Sequence, residues 1–282
     1  MKQEPDIRLP VLSRLPDAVA IDLDGTLLNS QTQISSRNSI VLEKCLVRGI
    51  PVVITTSRAT RSVYRLLGAE LTNRCSLVVQ NGAIGIGAPP LTGHIKEIIP
   101  PGVMRAIIST ILEMEPEAHL TIELEGYAFG TNRPRQPEEL WQINSATPDM
   151  QLSLEDALSK EPSKMAVGGL GRDLSHIVQA VSLQFGDVIS VVPANNLTFL
   201  NITSNKATKS DTLRRLLVSR QLSLDNVIAF GDDIPDVDMM KTCGIPVAVA
   251  NAVPEVKAVT KYCTASNDED GVALALEKIL NL

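Results

Sequence analysis

Two carboxylates stand one residue apart in Ala18-Val19-Ala20-Ile21-Asp22-Leu23-Asp24-Gly25-Thr26, at the end of an apolar, β-branched run. Paired acids beside a buried strand are costly unless a cation accompanies them. A divalent ion with oxygen ligands, Mg²⁺ first among them, is the natural companion. The other reading of these residues alone is an acidic turn, because Asp-Gly is a frequent turn dipeptide. Three further groups of polar residues follow apolar runs or open helices: Thr56-Ser57-Arg58, Lys209, and Gly231-Asp232-Asp233-Ile234-Pro235-Asp236. Together they contain the hydroxyl, ammonium and carboxylate groups that handle a phosphoryl group.

The elements that must position these groups follow from periodicity. Ser35 is a cap for a helix reaching about Arg48, Pro51–Thr55 reads as a buried strand, a short helix covers 59–68, and Ser76–Gln80 forms a third strand. Strands apolar on both faces and separated by helices predict a parallel sheet covered on both sides, the doubly wound α/β class. From Ile84 the rhythm changes. Short segments near 94–99, 119–124, 164–170, 188–192 and 197–202 are interleaved with helices at 103–114 and 173–185, and residues 126–150 read as irregular. This predicts an inserted α+β domain with an antiparallel sheet. The first rhythm resumes after Lys209, with strands at 227–230 and 246–249. The expected division is a core at 1–83 and 201–282 and an insertion at 84–200. In a parallel sheet the four polar groups all open at the carboxyl edge, where such folds place ligand chemistry.

The set and order of these motifs resemble the haloacid dehalogenase superfamily, and within it the Cof-like (type IIB) phosphatases, whose α/β cap lies between the second and third motifs. Asn81-Gly82-Ala83, Ala248-Val249-Ala250-Asn251-Ala252 and Ser266–Val272 match further signatures, so the likeness spans nearly the whole chain. It implies a Rossmann-like core with a substrate-reading cap, and a Mg²⁺-dependent phosphatase acting on a small phosphomonoester, a sugar phosphate foremost. Asp22 would be the nucleophile that forms an aspartyl-phosphate, and Asp24 the general acid and then base. Thr56, Ser57, Asn81 and Lys209 would hold the phosphate. Mg²⁺ would bind an Asp22 oxygen, the Asp24 carbonyl, Asp232 and Asp236.

Simpler readings stand beside several of these roles. Asp236 is also a good helix-start acid, Lys209 one of several helix cations, and Asn81 a turn former. Arg133 and Arg135 are candidates for a second anionic group or ordinary loop residues. Three departures from the family pattern bear on rate. Ser57 and Ser210 stand where glycine is usual, and Pro235 where asparagine is usual, which removes a side-chain amide and a backbone donor. They motivate one alternative, a catalytically impaired phosphate-ligand-binding protein. Another is a phosphomutase or phosphotransferase using the same residues.

Composition narrows the field. The 282 residues are 44% hydrophobic and 21% charged, as in soluble globular proteins. With 3% aromatics and a net charge of −6, stacking on nucleic acid or a broad polyanion surface is not expected. No apolar run is long enough to span a membrane, and Met1–Pro16 carries no apolar signal segment. Cys45, Cys75, Cys243 and Cys263 are isolated, which fits thiols in a reducing cytoplasm. His94, His119 and His176 are too scattered for a zinc site. A small phosphorylated metabolite is the expected partner of a monomer or homodimer.

Overall fold

The computed structural model describes Ile7–Ala194 and Asn196–Leu282; the first six residues of the polar amino-terminal stretch lie outside the described residues. The chain runs β1 (Ala18–Asp22), α1 (Ser36–Val47), β2 (Val52–Thr55), α2 (Thr60–Thr72), β3 (Ser76–Val79), β4 (Ile84–Ile86) and β5 (His94–Lys96). It continues through α3 (Pro101–Met114), β6 (His119–Leu124), β7 (Ala128–Thr131), α4 (Pro137–Asn144), β8 (Gln151–Ser153), α5 (Leu154–Leu158), β9 (Lys164–Gly168), α6 (Ser175–Phe185), β10 (Ile189–Ala194) and β11 (Phe199–Ser204). The last part comprises α7 (Lys209–Val218), β12 (Val227–Gly231), α8 (Val237–Thr242), β13 (Ile245–Ala248), α9 (Pro254–Val259), β14 (Tyr262–Cys263) and α10 (Gly271–Leu280).

Two compact units result. Among the described residues, the first comprises those within 1–57, 63–95 and 208–282, and the second those within 58–62 and 96–207. The boundaries expected at 84 and 200 therefore move to Lys96 and Ala207. The physical reason is strand pairing: β4 and β5 extend the sheet of the first unit, and β4 runs antiparallel to β3 with Leu77 opposite Ile86.

The eight strands of the first unit lie in the order β14-β13-β12-β1-β2-β3-β4-β5. From β14 to β3 every pair is parallel, which is the doubly wound arrangement expected. All five residues of β1 are buried. Its pleat sends Val19 and Ile21 to a core shared with Val41 and Leu42 of α1 and Leu276 of α10, while Ala18 and Ala20 face Leu213 and Leu216 of α7 and Met239 of α8. Burial on both faces explains why these strands read as continuous apolar runs. Because β1 lies between β2 and β12, the order reverses there, and the carboxyl ends of β1 and β12 open side by side.

The six strands of the second unit follow the order β10-β11-β9-β6-β7-β8. Pairing is antiparallel apart from β7 with β8, which is parallel. Leu120 and Ile122 of β6, Met165 and Val167 of β9 and Ile202 of β11 join Ile107 of α3 and Ile177 of α6 in one core. The stretch 126–150, read as irregular, contains β7 and α4. The short β7 carries a glycine, and α4 presents only Leu140 to the interior, so neither shows a strong period. Among the described residues, no helix is long and apolar enough to cross a membrane. All four cysteines are thiols, and burial pushes Cys45, Cys75 and Cys243 up to about 12, which makes them unreactive.

Ser35 caps α1 as expected, accepting from the Asn38 N–H at 3.0 Å. Asn38 is itself a tie that periodicity does not reveal. Its buried amide donates to the Leu27 carbonyl at 3.1 Å and accepts from the Ala273 N–H at 2.9 Å, joining the loop after β1 to the start of α10. Asn38→Ala leaves two buried backbone groups unsatisfied and is expected to cost about 2–4 kcal/mol. Urea unfolding should show a lower midpoint at unchanged slope.

Candidate active site

The carboxyl edge of the parallel sheet gathers acids from two strands around one ammonium. Asp22 ends β1, Asp232 follows β12, and Asp236 lies one turn further on, just before α8. One carboxylate oxygen from each lies within 4.8 Å of the other two. Lys209, the first residue of α7, places its Nζ 2.6 Å from Asp22 Oδ1 and 2.6 Å from Asp236 Oδ1, with the Thr55 carbonyl at 3.4 Å. A cation at a helix amino terminus opposes the helix dipole, so its position there depends on these two carboxylates. The other readings of Lys209 and Asp236 are thereby narrowed. Lys209 is 3% exposed, and Asp236 bonds it as well as serving as a cap.

The charge balance explains the titration. Burial, then the Asp236 carboxylate, pushes Asp22 well above the usual carboxylate range, with Lys209 opposing. Burial also raises Asp232 to about 7, and Asp236 adds to the shift, while the hydrogen bond from Thr26 Oγ1 at 2.7 Å opposes it. Burial disfavours the charge on Lys209, yet Asp22 and Asp236 more than offset this and hold its pKa above that of ordinary lysine. Three acids and one ammonium leave a surplus of negative charge in a poorly solvated place. Hard carboxylate oxygens at this spacing suit a divalent cation. Asp24 is exposed, and its carboxylate is not one of the three.

The turn after β12 shows what Pro235 does. Asp236 Oδ2 accepts from the backbone N–H groups of Asp232 (3.1 Å) and Asp233 (3.2 Å). Pro235 occupies an early position of this single 3₁₀ turn, where no N–H is needed. Asp236 thus has three donors aligning it, and the orientation that the proline would be expected to remove comes from Lys209 and the backbone. Ser210 directs its hydroxyl to Asp238 of α8, linking two helices.

Thr56 and Asn81 lie on neighbouring strand ends. The Thr56 N–H donates to the Val78 carbonyl at 2.8 Å, and the Asn81 N–H donates to the Thr56 carbonyl at 3.1 Å. Thr56 is fully buried and Ser57 partly so. Asn81 has φ +58°, a left-handed conformation that asparagine tolerates better than most residues. It is 6% exposed, yet neither its Oδ1 nor its Nδ2 has a hydrogen-bond partner. Turn formation does not require burying an unsatisfied amide. The next residue, Gly82, has φ +94°, and a Cβ there would run into the Thr208 carbonyl beside Lys209.

Several supporting residues escaped the sequence reading. Thr26 fixes Asp232, while Gly25 leaves room for it: a Cβ at Gly25 would overlap the Asp232 carboxylate. Asn251 donates to the Gly25 carbonyl at 2.7 Å and accepts from the Asn267 N–H at 3.0 Å. Asn267 donates to the Leu28 carbonyl at 2.9 Å. The two late signatures are therefore clamps on the loop that carries Asp24. The signal was the pair of asparagines, but nothing local names their partners more than 200 residues away.

Lys209→Met would leave two buried carboxylates without their ammonium, at an expected cost of about 3–5 kcal/mol in urea unfolding near neutral pH. The raised pKa sets the sign. The Lys209 contribution is complete below the unfolded-lysine value of about 10.4 and is lost as pH rises through the higher folded value.

The haloacid dehalogenase-like hydrolase model matches residues 19–276. A provisionally named phosphatase of Haemophilus influenzae is 29% identical, with 93% of this chain and 97% of its own length covered. Phosphatase YwpJ of Bacillus subtilis is 28% identical, with 93% and 99% covered. The crystal structure of a haloacid dehalogenase-like hydrolase from Bacteroides thetaiotaomicron superposes with a TM-score of 0.79 at 26% identity, covering 94% of this chain and 99% of that one. With the acids at the ends of β1 and β12 and a match over almost its whole length, the chain belongs to the haloacid dehalogenase-like hydrolase family.

Proposed function

We propose that this hydrolase is a Mg²⁺-dependent phosphatase that cleaves a small phosphomonoester, a sugar phosphate foremost, through an Asp22 phospho-enzyme. The observation that carries the reading is the buried Asp22–Lys209–Asp236 contact with Asp232 beside it. It supplies a nucleophilic carboxylate, a fixed positive charge and a hard-cation site at one sheet edge.

In the first half-reaction an Asp22 oxygen attacks phosphorus and the ester P–O bond breaks. Asp24, exposed on the same loop, gives its proton to the departing oxygen. In the second, Asp24 takes a proton from water as the water oxygen attacks phosphorus, and Asp22 is released with inorganic phosphate. Lys209 keeps the nucleophile next to positive charge throughout. Thr56, Ser57 and Asn81 bind phosphoryl oxygens, a role supported by the unsatisfied amide of Asn81. Asp22, Asp232, Asp236 and the Asp24 carbonyl would hold Mg²⁺, whose charge would keep the carboxylates ionised and favour the phosphoryl oxygens. The alignment of Asp236 despite Pro235 supports turnover over ligand binding without catalysis. Water as acceptor favours hydrolysis over phosphotransfer when no alcohol is present.

The test is phosphate release from an aryl phosphate and a panel of sugar phosphates, with and without Mg²⁺. Asp22→Asn should abolish release, and Asp24→Asn should lower it by about 10²–10⁴-fold. Full activity in Asp22→Asn overturns the reading. The raised pKa of Asp232 also sets a direction for metal binding. With an unfolded pKa of about 3.9, the buried carboxylate destabilises the metal-free fold increasingly as pH rises from there towards its folded value of about 7. A bound cation relieves that cost. The Mg²⁺-induced rise in Tm should therefore be larger at about pH 8 than at about pH 5, and differential scanning fluorimetry against a chelated control checks it.

A further inference from the structure

The loop that carries Asp24 bends at a residue with little shape of its own. Gly25 has φ +77°, and a glycine, lacking Cβ, takes positive and negative φ about equally well. On one side of it stands the exposed Asp24, on the other Thr26, whose hydroxyl bonds Asp232. Beyond the bend the loop folds back on the end of β1. The Leu27 N–H donates to the Asp22 carbonyl at 3.2 Å, and the Leu28 N–H to the Leu23 carbonyl at 2.9 Å. The Gly25–Thr26 peptide is held differently at its two ends. Its N–H makes a long bond of 3.4 Å to the Leu23 carbonyl, whereas its carbonyl accepts from Asn251 Nδ2 at 2.7 Å.

Asn251 is fixed in turn, and all of its partners belong to the first unit. The loop after β13 emerges at the same sheet edge as Asp232, because β13 runs parallel to β12 with Ala248 opposite Gly231. The Asn267 N–H donates to Asn251 Oδ1 at 3.0 Å, which leaves the amide nitrogen facing Gly25. Lys257 Nζ donates to the Ala250 carbonyl at 2.7 Å, and the Val253 N–H to the Asp232 carbonyl at 2.8 Å. A closed circuit results, from Gly25 through the Asn251–Val253 loop to Asp232 and back through Thr26. Asp232 keeps two holds that do not pass through the Asn251 side chain: Thr26 on its carboxylate and Val253 on its carbonyl. Asn251 acts instead on Gly25, the residue next to Asp24. It is exposed, so packing does not call for an asparagine there, yet its amide is bonded at both ends. Releasing Gly25 lets the backbone at Asp24 move while Asp232 stays in place.

We propose that Asn251 is a positioning residue for proton transfer: it holds Gly25 so that the Asp24 carboxyl meets the oxygen of the departing alcohol. The assignment rests on the phosphatase reading, because it needs Asp24 to be a proton donor. In that step the Asp22 oxygen bonds phosphorus and the ester P–O bond breaks. The electron pair of the broken bond goes to the leaving oxygen, which takes the Asp24 proton. A misplaced acid costs most where the leaving oxygen needs the proton most. Phenoxide needs one, whereas 4-nitrophenoxide, whose charge the nitro group spreads, departs largely without. A fault in the nucleophile or in the metal acids slows both esters alike.

The experiment measures kcat/KM for phenyl phosphate and 4-nitrophenyl phosphate with Mg²⁺ present, in the full chain and in Asn251→Ala. This ratio covers steps only as far as ester cleavage, so the later attack of water does not enter. In Asn251→Ala the value for phenyl phosphate should fall about tenfold or more, and that for 4-nitrophenyl phosphate by less than about threefold. Asn251→Leu keeps the bulk of the side chain without either bond and should give the same pattern, which separates the lost tie from lost volume. With Asp24→Asn already in place, adding Asn251→Ala should change the phenyl phosphate value by less than about twofold. Equal falls for the two esters overturn the proposal, as does no fall for either, or a further tenfold fall on top of Asp24→Asn. Hydrolysis of both esters without the leaving-group pattern removes this assignment alone. An unsubstituted chain that hydrolyses neither ester removes the phosphatase reading, and this assignment with it.

Discussion

The Lys209 ammonium between Asp22 and Asp236 is the contact on which the rest of the first unit depends. It joins the end of β1, the start of α7 and the turn after β12, bonding one carboxylate 187 residues before it and another 27 residues after it. Each partner is poorly placed without the others. Carboxylates in a buried setting resist ionisation, and a lysine at a helix amino terminus meets the wrong end of the dipole. Together they form a pre-organised charge array whose residual negative sign invites a metal and whose ammonium invites a phosphate. Helices on both faces and a reversal of strand order at β1 make such a convergence possible, because only there do two strand ends diverge and leave an open edge.

A second layer holds this array in register. Thr26 bonds Asp232; Asn38, Asn251 and Asn267 grip the loop from Gly25 to Leu28; and the backbone of the β12 turn grips Asp236. These are mostly side-chain amides on backbone carbonyls, bonds that fix position without adding charge. The acid proposed at Asp24 therefore sits on a braced loop, as a proton donor would need, because its placement relative to the leaving oxygen would govern rate.

Much of this was legible in the sequence, and the remainder has a physical explanation. Asp22 and Asp232 were visible because strands buried on both faces are unmistakably apolar, so a charged residue at their end stands out, whereas Lys209 and Asp236, at helix starts, were legible through the order of the motifs. Ser35 was legible as a cap because capping is a local affair. The asparagine clamps were not, since their partners are backbone carbonyls far along the chain and any residue type supplies one. The antiparallel β4 and the boundary at Lys96 were missed because direction and sheet membership are set by pairing, to which a three-residue apolar segment gives no clue. Pro235 was read as a loss because the family pattern was compared residue by residue; in the folded turn the donors on Asp236 come from elsewhere.

The two-faced sheet of the second unit has a consequence for how this protein could change over generations. Alternation along β6, β9 and β11 splits neighbouring residues between two faces: one set packs against α3 and α6, and the other lines a cavity of about 290 Å³ through His119, Thr121, Glu123, Lys164, Ala166 and Phe199. Substitutions at Thr121 or Ala166 would alter the lining of the cavity while leaving the apolar layer behind them untouched. The packed core and the cavity lining are thus written on opposite sides of the same strands. Such a partition lets a lineage vary the lining of the cavity in single-residue steps without first acquiring a reserve of folding free energy.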